Sequence, residues 1–258
     1  MPGQQIPPIL EELWANWQQD DGGTGRCEGC PAHWSTRDDF SGAPEDRTSS
    51  FQHRPSCGDG SLDPDILIVP REPGKPREDD FTKNRRKDSI EQARNKSILD
   101  SPGGTIENAM PLFEIIEESE FSVGFTQIRK CNELKSGDNN LARKQCSGSS
   151  DEHVGYLAEE VRSLNPEYII TLTTAGQRDF CNVFDLPRYA VEDMAGGSAP
   201  SGLCAEYQNE FEFTWFPAPH PDHRAAAQVY NKLEADFDTE EYFEAFGEDV
   251  LNYVTSDN

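Results

Sequence analysis

The order of predicted elements along the chain indicates an α/β fold, in which helices cover both faces of a short, mainly parallel, four-stranded central sheet (α/β/α). Candidate strands alternate with candidate helices, which is typical of parallel sheets with helical crossovers. The segment between Asp65 and Pro70 is wholly apolar, as expected of a strand buried on both faces. A chain of 258 residues suits one such domain with additions better than two separate domains.

Apolar residues at intervals of three and four predict the helices. Those helices occupy residues 8–20, 106–116, 154–164, 175–184 and 224–237, and an acidic one follows from Tyr242 to Val254. Pro111 is expected to kink or shorten the second helix. The strands are predicted at residues 65–70, 123–128, 168–173 and 211–216. Residues 71–100 show no hydrophobic period, which predicts a long loop.

The chain is therefore divided into three parts. Residues 1–26 are expected to form an N-terminal helix and linker, residues 27–237 the main domain, and residues 238–258 an acidic C-terminal helix packed on that domain.

The net charge of −25, from 48 acidic and 23 basic residues, lies far outside ordinary globular composition. Disorder is one interpretation, but 14 Phe, 7 Tyr and 4 Trp indicate that a core forms. Adaptation to molar salt explains the charge better, because carboxylates keep the surface hydrated while salt screens their repulsion. No apolar run approaches the roughly eighteen residues of a membrane span, so we expect a cytoplasmic protein. We also expect it to be a monomer.

Four cysteines suggest a metal site. Cys27 and Cys30 have the Cys-x-x-Cys spacing that lets one turn offer two thiolates, and Cys131 and Cys146 could supply two more. This spacing is compatible with zinc or with an iron-sulphur cluster, and it does not choose between them. Three further cysteines are predicted to be core thiols: Cys57, Cys181 and Cys204.

The order of short motifs resembles the iron-sulphur branch of the uracil-DNA glycosylase superfamily over roughly residues 27–235. These motifs are Cys27-x-x-Cys30, the segment Gly58–Gly74, Thr126-Gln-Ile-Arg-Lys-Cys131, Cys146, the segment Leu157–Ala175 and His220-Pro221. Each motif alone is weak, but their joint order is fairly specific. The resemblance implies a uracil-DNA glycosylase fold and a [4Fe-4S] cluster on the four cysteines.

The resemblance also implies roles for individual residues in removing a base from DNA. His220 follows a predicted strand, where it can donate a hydrogen bond to the departing base, and the resemblance assigns that role to it. Glu72 follows the first buried strand, at the sheet edge where ligands collect, and could orient water and stabilise the cationic sugar. Both are interpreted as catalytic residues.

The expected substrate-binding residues depart from the pattern of the branch. In the segment Pro70-Arg-Glu-Pro-Gly74, aligned on Pro73 and Gly74, Arg71 stands where the branch has Glu, and Glu72 stands where it has a small residue. Glu72 could substitute for the water-activating Asp of other branches, or Arg71 could have disabled the site. Gln127 replaces the Asn that reads uracil, keeping its donor and acceptor on a longer side chain.

Two other departures concern the pocket wall. The stretch 98–104 lacks the Phe that stacks on the base in the family, and Leu172-Thr173 replaces Leu-Gly. These departures leave the fold assignment unaffected and concern only the residues that would contact the base.

A positive island offers a contact for DNA on an otherwise acidic chain. Nine basic and six acidic residues lie between Arg71 and Lys96, giving +3, and Arg129-Lys130 and His223-Arg224 flank the same predicted sheet edge. This island is interpreted either as a solvated loop or as a face that follows phosphates.

Three functions remain open. The first is a repair glycosylase that excises uracil or a related deaminated base from single- or double-stranded DNA. The second is a non-catalytic iron-sulphur protein of the same fold that binds nucleic acid. The third is an interaction module in which zinc connects the N-terminal segment to the sheet.

Overall fold

The described residues of the computed structural model are 6–17, 24–30, 59–71, 104–130, 146–148, 155–173, 177–186, 207–208, 212–222, 224, 227 and 238–256. The predicted loop at 71–100 and the predicted helix at 224–237 lie almost wholly outside these ranges.

A sheet with four parallel central strands forms the middle of the fold. The strands are β1 (Asp59–Gly60), β2 (Ile66–Pro70), β3 (Val123–Phe125), β4 (Tyr168–Leu172), β5 (Tyr207–Gln208) and β6 (Thr214–Ala218). Their order across the sheet is β1-β3-β2-β4-β6-β5. The strands β3, β2, β4 and β6 pair in parallel, which confirms the predicted four-stranded parallel sheet. The two-residue strands β1 and β5 add antiparallel edges that were not predicted.

Five α-helices lie in the described part of the chain. They are α1 (Pro8–Trp17), α2 (Met110–Glu117), α3 (Tyr156–Leu164), α4 (Gln177–Val183) and α5 (Thr239–Ser256). The segment predicted as one helix over 106–116 is divided into a 3₁₀ helix, Gly104–Ala109, and α2. Pro111 explains the division, because proline has no N–H to bond the preceding turn and is tolerated only in the first turn of an α-helix.

Alternation along β2 creates the three layers. Ile66 and Ile68 face one core, which α2 and α5 cover, while Leu67 and Val69 face a second core, which α3 and α4 cover. Because both faces are apolar and buried, the strand is a continuous hydrophobic run rather than an alternating one. The predicted α/β/α architecture is confirmed.

The N-terminal helix packs outside these layers, against the start of α3. Leu10 and Leu13 of α1 form a small buried cluster with the ring of Tyr156. The side-chain amide of Asn16 donates a hydrogen bond of 3.1 Å to the hydroxyl of Tyr156. These contacts fix the position of the segment that carries Cys27 and Cys30.

Successive strands are added on opposite sides of β2. The connection through α2 leads from β2 to its neighbour β3, and the connection through α3 then passes over β2 to β4 on the other side. Right-handed crossovers in opposite directions require helices on opposite faces, as α2 and α3 are. The carboxyl ends of β2 and β4 therefore flank a topological switch point, where open α/β sheets bind ligands. Within the described ranges, no helix combines the length and the apolar composition that crossing a membrane requires.

Candidate functional site

The carboxyl edge of the sheet carries three of the predicted site residues. Arg71 directly follows β2, Gln127 lies two residues beyond β3, and His220 lies two residues beyond β6. Since these strands are parallel, their ends meet at one edge, and all three side chains are half-buried there. Glu72, Pro73 and Gly74 continue from Arg71, but they lie outside the described residues.

Backbone hydrogen bonds hold the exit of β3 beside the exit of β2. The N–H of Ile128 donates to the carbonyl of Pro70 at 3.0 Å, and the N–H of Arg129 donates to the carbonyl of Arg71 at 2.9 Å. The predicted strand of 123–128 thus keeps its parallel pairing after β3 ends. Gln127 lies in the middle of this paired segment, next to Arg71.

The turn that carries His220 is fixed by hydrogen bonds at both ends. The side-chain amide of Asn108, in the 3₁₀ helix, donates to the carbonyl of Pro221 at 2.7 Å. The N–H of Asp222 donates to the carbonyl of His220, also at 2.7 Å. A residue far away in sequence therefore helps to position the imidazole, which sequence patterns did not indicate.

Burial and the nearby charge of Arg71 lower the pKa of His220 below its usual 6.5, while the carboxylate of Asp222 opposes the shift. Arg71 and His220 therefore interact electrostatically at this edge. A lowered pKa means that His220 is neutral at pH 7, so its ring offers an N–H donor rather than a positive charge.

Gln127 presents an acceptor to this edge. Among the residues that the structure describes, none donates a hydrogen bond to its buried amide oxygen, Oε1. A buried acceptor without a partner costs free energy. A ligand that supplies an N–H would satisfy it.

The residues Arg129 and Lys130 do not face DNA as part of a positive surface, and that interpretation is corrected. Arg129 is 3 % exposed, and its Nη2 donates to Asp179 of α4 at 2.8 Å. Lys130 is 0 % exposed and forms an ion pair with Glu160 of α3, which is also 0 % exposed. Both cations are directed inward because an acidic partner lies beneath the sheet edge.

The sequence analysis did not assign a role to Glu160 or Asp179. Glu160 lies three residues after Leu157 and four before Leu164, on the apolar stripe of the predicted helix. A carboxylate on such a stripe is costly to bury alone, which is the signal that would have indicated a buried cationic partner.

The two N-terminal cysteines form a tight turn after a short 3₁₀ helix, Gly25–Cys27. The N–H of Cys30 donates to the carbonyl of Cys27 at 3.0 Å. Between them, Gly29 has a φ of 65°, in the left-handed region that glycine adopts without strain. Cys30 is buried and Cys27 is half-buried.

The start of α3 contacts Cys27 directly. The Sγ of Cys27 lies 3.4 Å from the hydroxyl of Tyr156, at hydrogen-bonding distance. Arg26 stacks 5.5 Å above the Tyr156 ring and forms ion pairs with Glu12, at 2.6 Å, and with Glu159. The cysteine turn is therefore attached to α1 and α3 through Arg26 and Tyr156.

Cys146 reaches the same place from a distant segment. Burial raises the pKa of the Cys27 thiol to about 11, and the nearby thiol of Cys146 contributes to the rise. The Ser147 hydroxyl donates to the carbonyl of Ile128 at 3.2 Å, beside the exit of β3. A Cβ on Gly155 would lie 2.1 Å from the nitrogen of Gly148, so only glycine permits this approach to α3.

The described cysteines do not by themselves make a complete metal centre. Cys27 is half-buried, Cys30 and Cys146 are buried, and Cys131 lies outside the described residues. In the part of the chain that the structure describes, no group of three or more His, Cys, Asp or Glu side chains is arranged to hold a metal ion. Cys181, a residue of α4, is buried in the core, as predicted, while Cys57 and Cys204 fall outside the described ranges.

Comparison with known proteins adds no further identification. The chain matches none of the known protein families, and no curated protein shows a significant match to it.

Proposed function

We propose that this chain is a DNA repair glycosylase, which hydrolyses the N-glycosidic bond of uracil or of a related deaminated base in DNA. The supporting observation is that Arg71, Gln127 and His220 lie along the same carboxyl edge of the sheet, beside the topological switch point. The three residues lie on three separate strand exits, and each had been selected from the order of motifs in the sequence. Their position on one edge fits a binding site for a flipped base.

His220 would act as a neutral hydrogen-bond donor. When the glycosidic bond breaks, the electron pair stays with the base, water adds to the sugar carbon, and the base takes up a proton. Negative charge develops on the carbonyl oxygen of the departing base. An N–H already directed at that oxygen stabilises the charge without reorganisation, and the lowered pKa of His220 favours this neutral form.

Gln127 would recognise the base. Its buried Oε1 accepts from no described residue, and the N3–H of uracil is a donor that could satisfy it. The amide nitrogen of the same side chain can donate to the neighbouring carbonyl. A deaminated base has this donor and acceptor pair, whereas cytosine lacks the N–H at that position, so the amide would discriminate against the undamaged base.

Glu72 would orient the attacking water and stabilise the positive sugar. Arg71 precedes it and contributes a positive charge to the same edge, which would favour the anionic base. Pro73 and Gly74 would complete the substrate-binding turn.

Four thiolates would hold a [4Fe-4S] cluster: Cys27, Cys30, Cys131 and Cys146. The proximity of the Cys146 and Cys27 thiols, which belong to distant segments, fits such a donor set, and zinc is the alternative. When bound, the metal group would cross-link the N-terminal turn to the edge of the sheet. We propose no role for it in bond cleavage.

We further propose that the protein works as a monomer in the cytoplasm of a salt-adapted cell, with DNA as its partner. The island between Arg71 and Lys96 would follow the phosphates, and stacking and base flipping would supply affinity that molar salt removes from ionic contacts.

A second function, non-catalytic binding of nucleic acid, is favoured by one observation. Arg71 stands where the family that the chain resembles has Glu, so a cation would replace the carboxylate that stabilises the positive sugar. Under this alternative the pocket would bind a base without releasing it.

The decisive experiment measures base release in molar KCl on protein purified without oxygen. Single- and double-stranded oligonucleotides carry uracil or hypoxanthine, and the same sample gives a visible spectrum and metal analysis. Release together with a cluster absorption band supports the glycosylase. A band without release supports the non-catalytic alternative, and a colourless zinc protein supports the interaction module.

Two site variants and one surface control assign the chemistry. His220→Ala and Glu72→Ala should each lose activity, by about 100-fold or more for a lost transition-state donor, while keeping the metal. Glu114→Gln changes an exposed residue of α2 and should keep both the activity and the metal. A His220 or Glu72 variant that remains fully active removes that residue from the mechanism.

A further inference from the structure

A buried network of hydrogen bonds links α3 to residues 126–130, which lie between the proposed base-binding site and the proposed metal site. The Oε2 of Glu160 accepts a hydrogen bond of 2.6 Å from the Thr126 hydroxyl and also pairs with the Lys130 ammonium. The Lys130 ammonium donates to the Thr126 hydroxyl at 2.5 Å. All three side chains are shielded from solvent, since Thr126 is 1 % exposed and Lys130 and Glu160 are fully buried.

These contacts hold both ends of one short segment. Thr126 immediately precedes Gln127, the proposed base-reading residue, and Lys130 immediately precedes Cys131, a proposed metal ligand. The backbone of Ile128 and Arg129, between them, is paired with the exit of β2. Residues 126–130 therefore cannot shift without breaking contacts to Glu160.

The same part of α3 also holds the other cysteine segments. Tyr156, one helical turn before Glu160, contacts the Sγ of Cys27, and Glu159 pairs with Arg26. Gly155, at the start of the helix, lies against the backbone of Gly148, two residues after Cys146. Three separate chain segments thus take their positions from residues 155–160.

A buried ion pair of this kind fixes geometry more than it adds stability. Removing two charges from water costs about as much free energy as their attraction returns, and a well-packed apolar pair of similar volume is often as stable. The specific effect of the Lys130–Glu160 pair is directional, because each partner must meet the other and Thr126 at hydrogen-bonding distance.

We propose that Glu160 is a positioning residue, which aligns Gln127 for base recognition and Cys131 for metal binding by holding the segment 126–130 against α3. This inference rests on the proposed function only in the tasks that it gives to Gln127 and Cys131. The placement of the segment itself can be tested without any activity.

The first test replaces the ion pair with apolar residues and measures local hydrogen exchange. In Glu160→Leu/Lys130→Met no unpaired charge remains buried, so thermal unfolding should occur no lower than in the wild type. Amide exchange across residues 124–130 should nevertheless accelerate by about tenfold or more, because the segment opens locally. Exchange across β4, residues 168–172, should be unchanged.

The second test uses a smaller change, for the case that the double variant does not fold. Thr126→Val removes only the hydroxyl that connects Glu160 to the residue before Gln127, and Thr126→Ser keeps it. The Val variant should exchange faster across residues 126–129, and the Ser variant should behave like the wild type. If Val changes nothing and the double variant does not fold, neither contact of Glu160 positions the segment and the inference is overturned.

Functional measurements on the same proteins then separate the two proposals. If the chain is a glycosylase, Thr126→Val should raise KM for the damaged oligonucleotide, whereas the double variant should also lose metal per protein. A wild type that releases no base contradicts the proposed function, but faster exchange in the variants would still support the placement. Unchanged exchange in both the double variant and Thr126→Val overturns the inference whatever the activity.

Discussion

His220 lies between opposite charges at the candidate site. Burial and the guanidinium of Arg71 lower its pKa, and the carboxylate of Asp222 raises it. The ring is neutral at pH 7 because the first two effects outweigh the third. The site should therefore lose its neutral donor only at a pH below 6.5.

Two variants should move the pKa of His220 in opposite directions. Arg71→Gln removes a cation and should raise it, although burial, the largest cause, should keep it below 6.5. Asp222→Asn removes an anion and should lower it further. Both are measured by NMR titration of the imidazole carbon-bound protons in constant KCl. Shifts in the same direction would show that the two charges do not act on this ring.

The lowered pKa of His220 also makes the free energy of unfolding depend on pH in a defined direction. The folded pKa is below the unfolded value of 6.5, so between the two values the unfolded state binds more protons. The contribution is thus unfavourable at low pH and disappears as the pH rises above 6.5. In urea unfolding, Asp222→Asn should increase the loss of stability between pH 7 and pH 5.5 that comes from His220, and Arg71→Gln should reduce it.

Arg71, Gln127 and His220 were selected from the resemblance in the order of motifs. The structure brings them to one edge because the carboxyl ends of parallel strands gather there. Glu160 and Asp179 were missed, because their importance depends on cations that reach them from another segment. The orientation of Arg129 and Lys130 was wrong for the same reason, since charge alone does not show whether a side chain faces solvent or a buried partner.

At the scale of elements, each predicted strand and helix in the described ranges exists, and the ends differ by a few residues. The strong patterns were those with two apolar faces, such as β2 and β4, or with a continuous stripe, such as α5. The edge strands β1 and β5 have two residues each, too few to show a period. The division before α2 required the specific chemistry of Pro111 rather than the hydrophobic pattern.

The C-terminal helix should be essential to the core, not an appendage. Phe246 of α5 is fully buried in the core that α5 shares with α2 and the sheet, and Glu244 of the same helix is exposed. Phe246→Ala should lower the free energy of unfolding by about 3 to 5 kcal/mol through lost contacts and a cavity. Glu244→Ala should change it by about 0.5 kcal/mol or less. Urea unfolding in molar KCl gives both values, and equal effects would mean that the helix does not dock as described.

For the whole molecule, the charge of −25 determines the conditions under which this fold is stable. Carboxylates repel one another across the surface of the compact state and lose much of that repulsion when the chain expands. The buried ion pairs do not offset this effect, since each of them is internally neutral. Stability should consequently depend strongly on ionic screening.

Raising KCl should therefore raise the thermal unfolding midpoint until the charges are screened. The screening length falls from about 10 Å at 0.1 M to about 3 Å at 1 M, so most of the rise should occur below 1 M. Circular dichroism across a KCl series measures it, with sorbitol at equal osmolality as the uncharged control. A constant midpoint would mean that surface repulsion does not limit the fold. An equal rise in sorbitol would assign the effect to solute exclusion rather than to screening, because sorbitol stabilises compact states without neutralising any carboxylate.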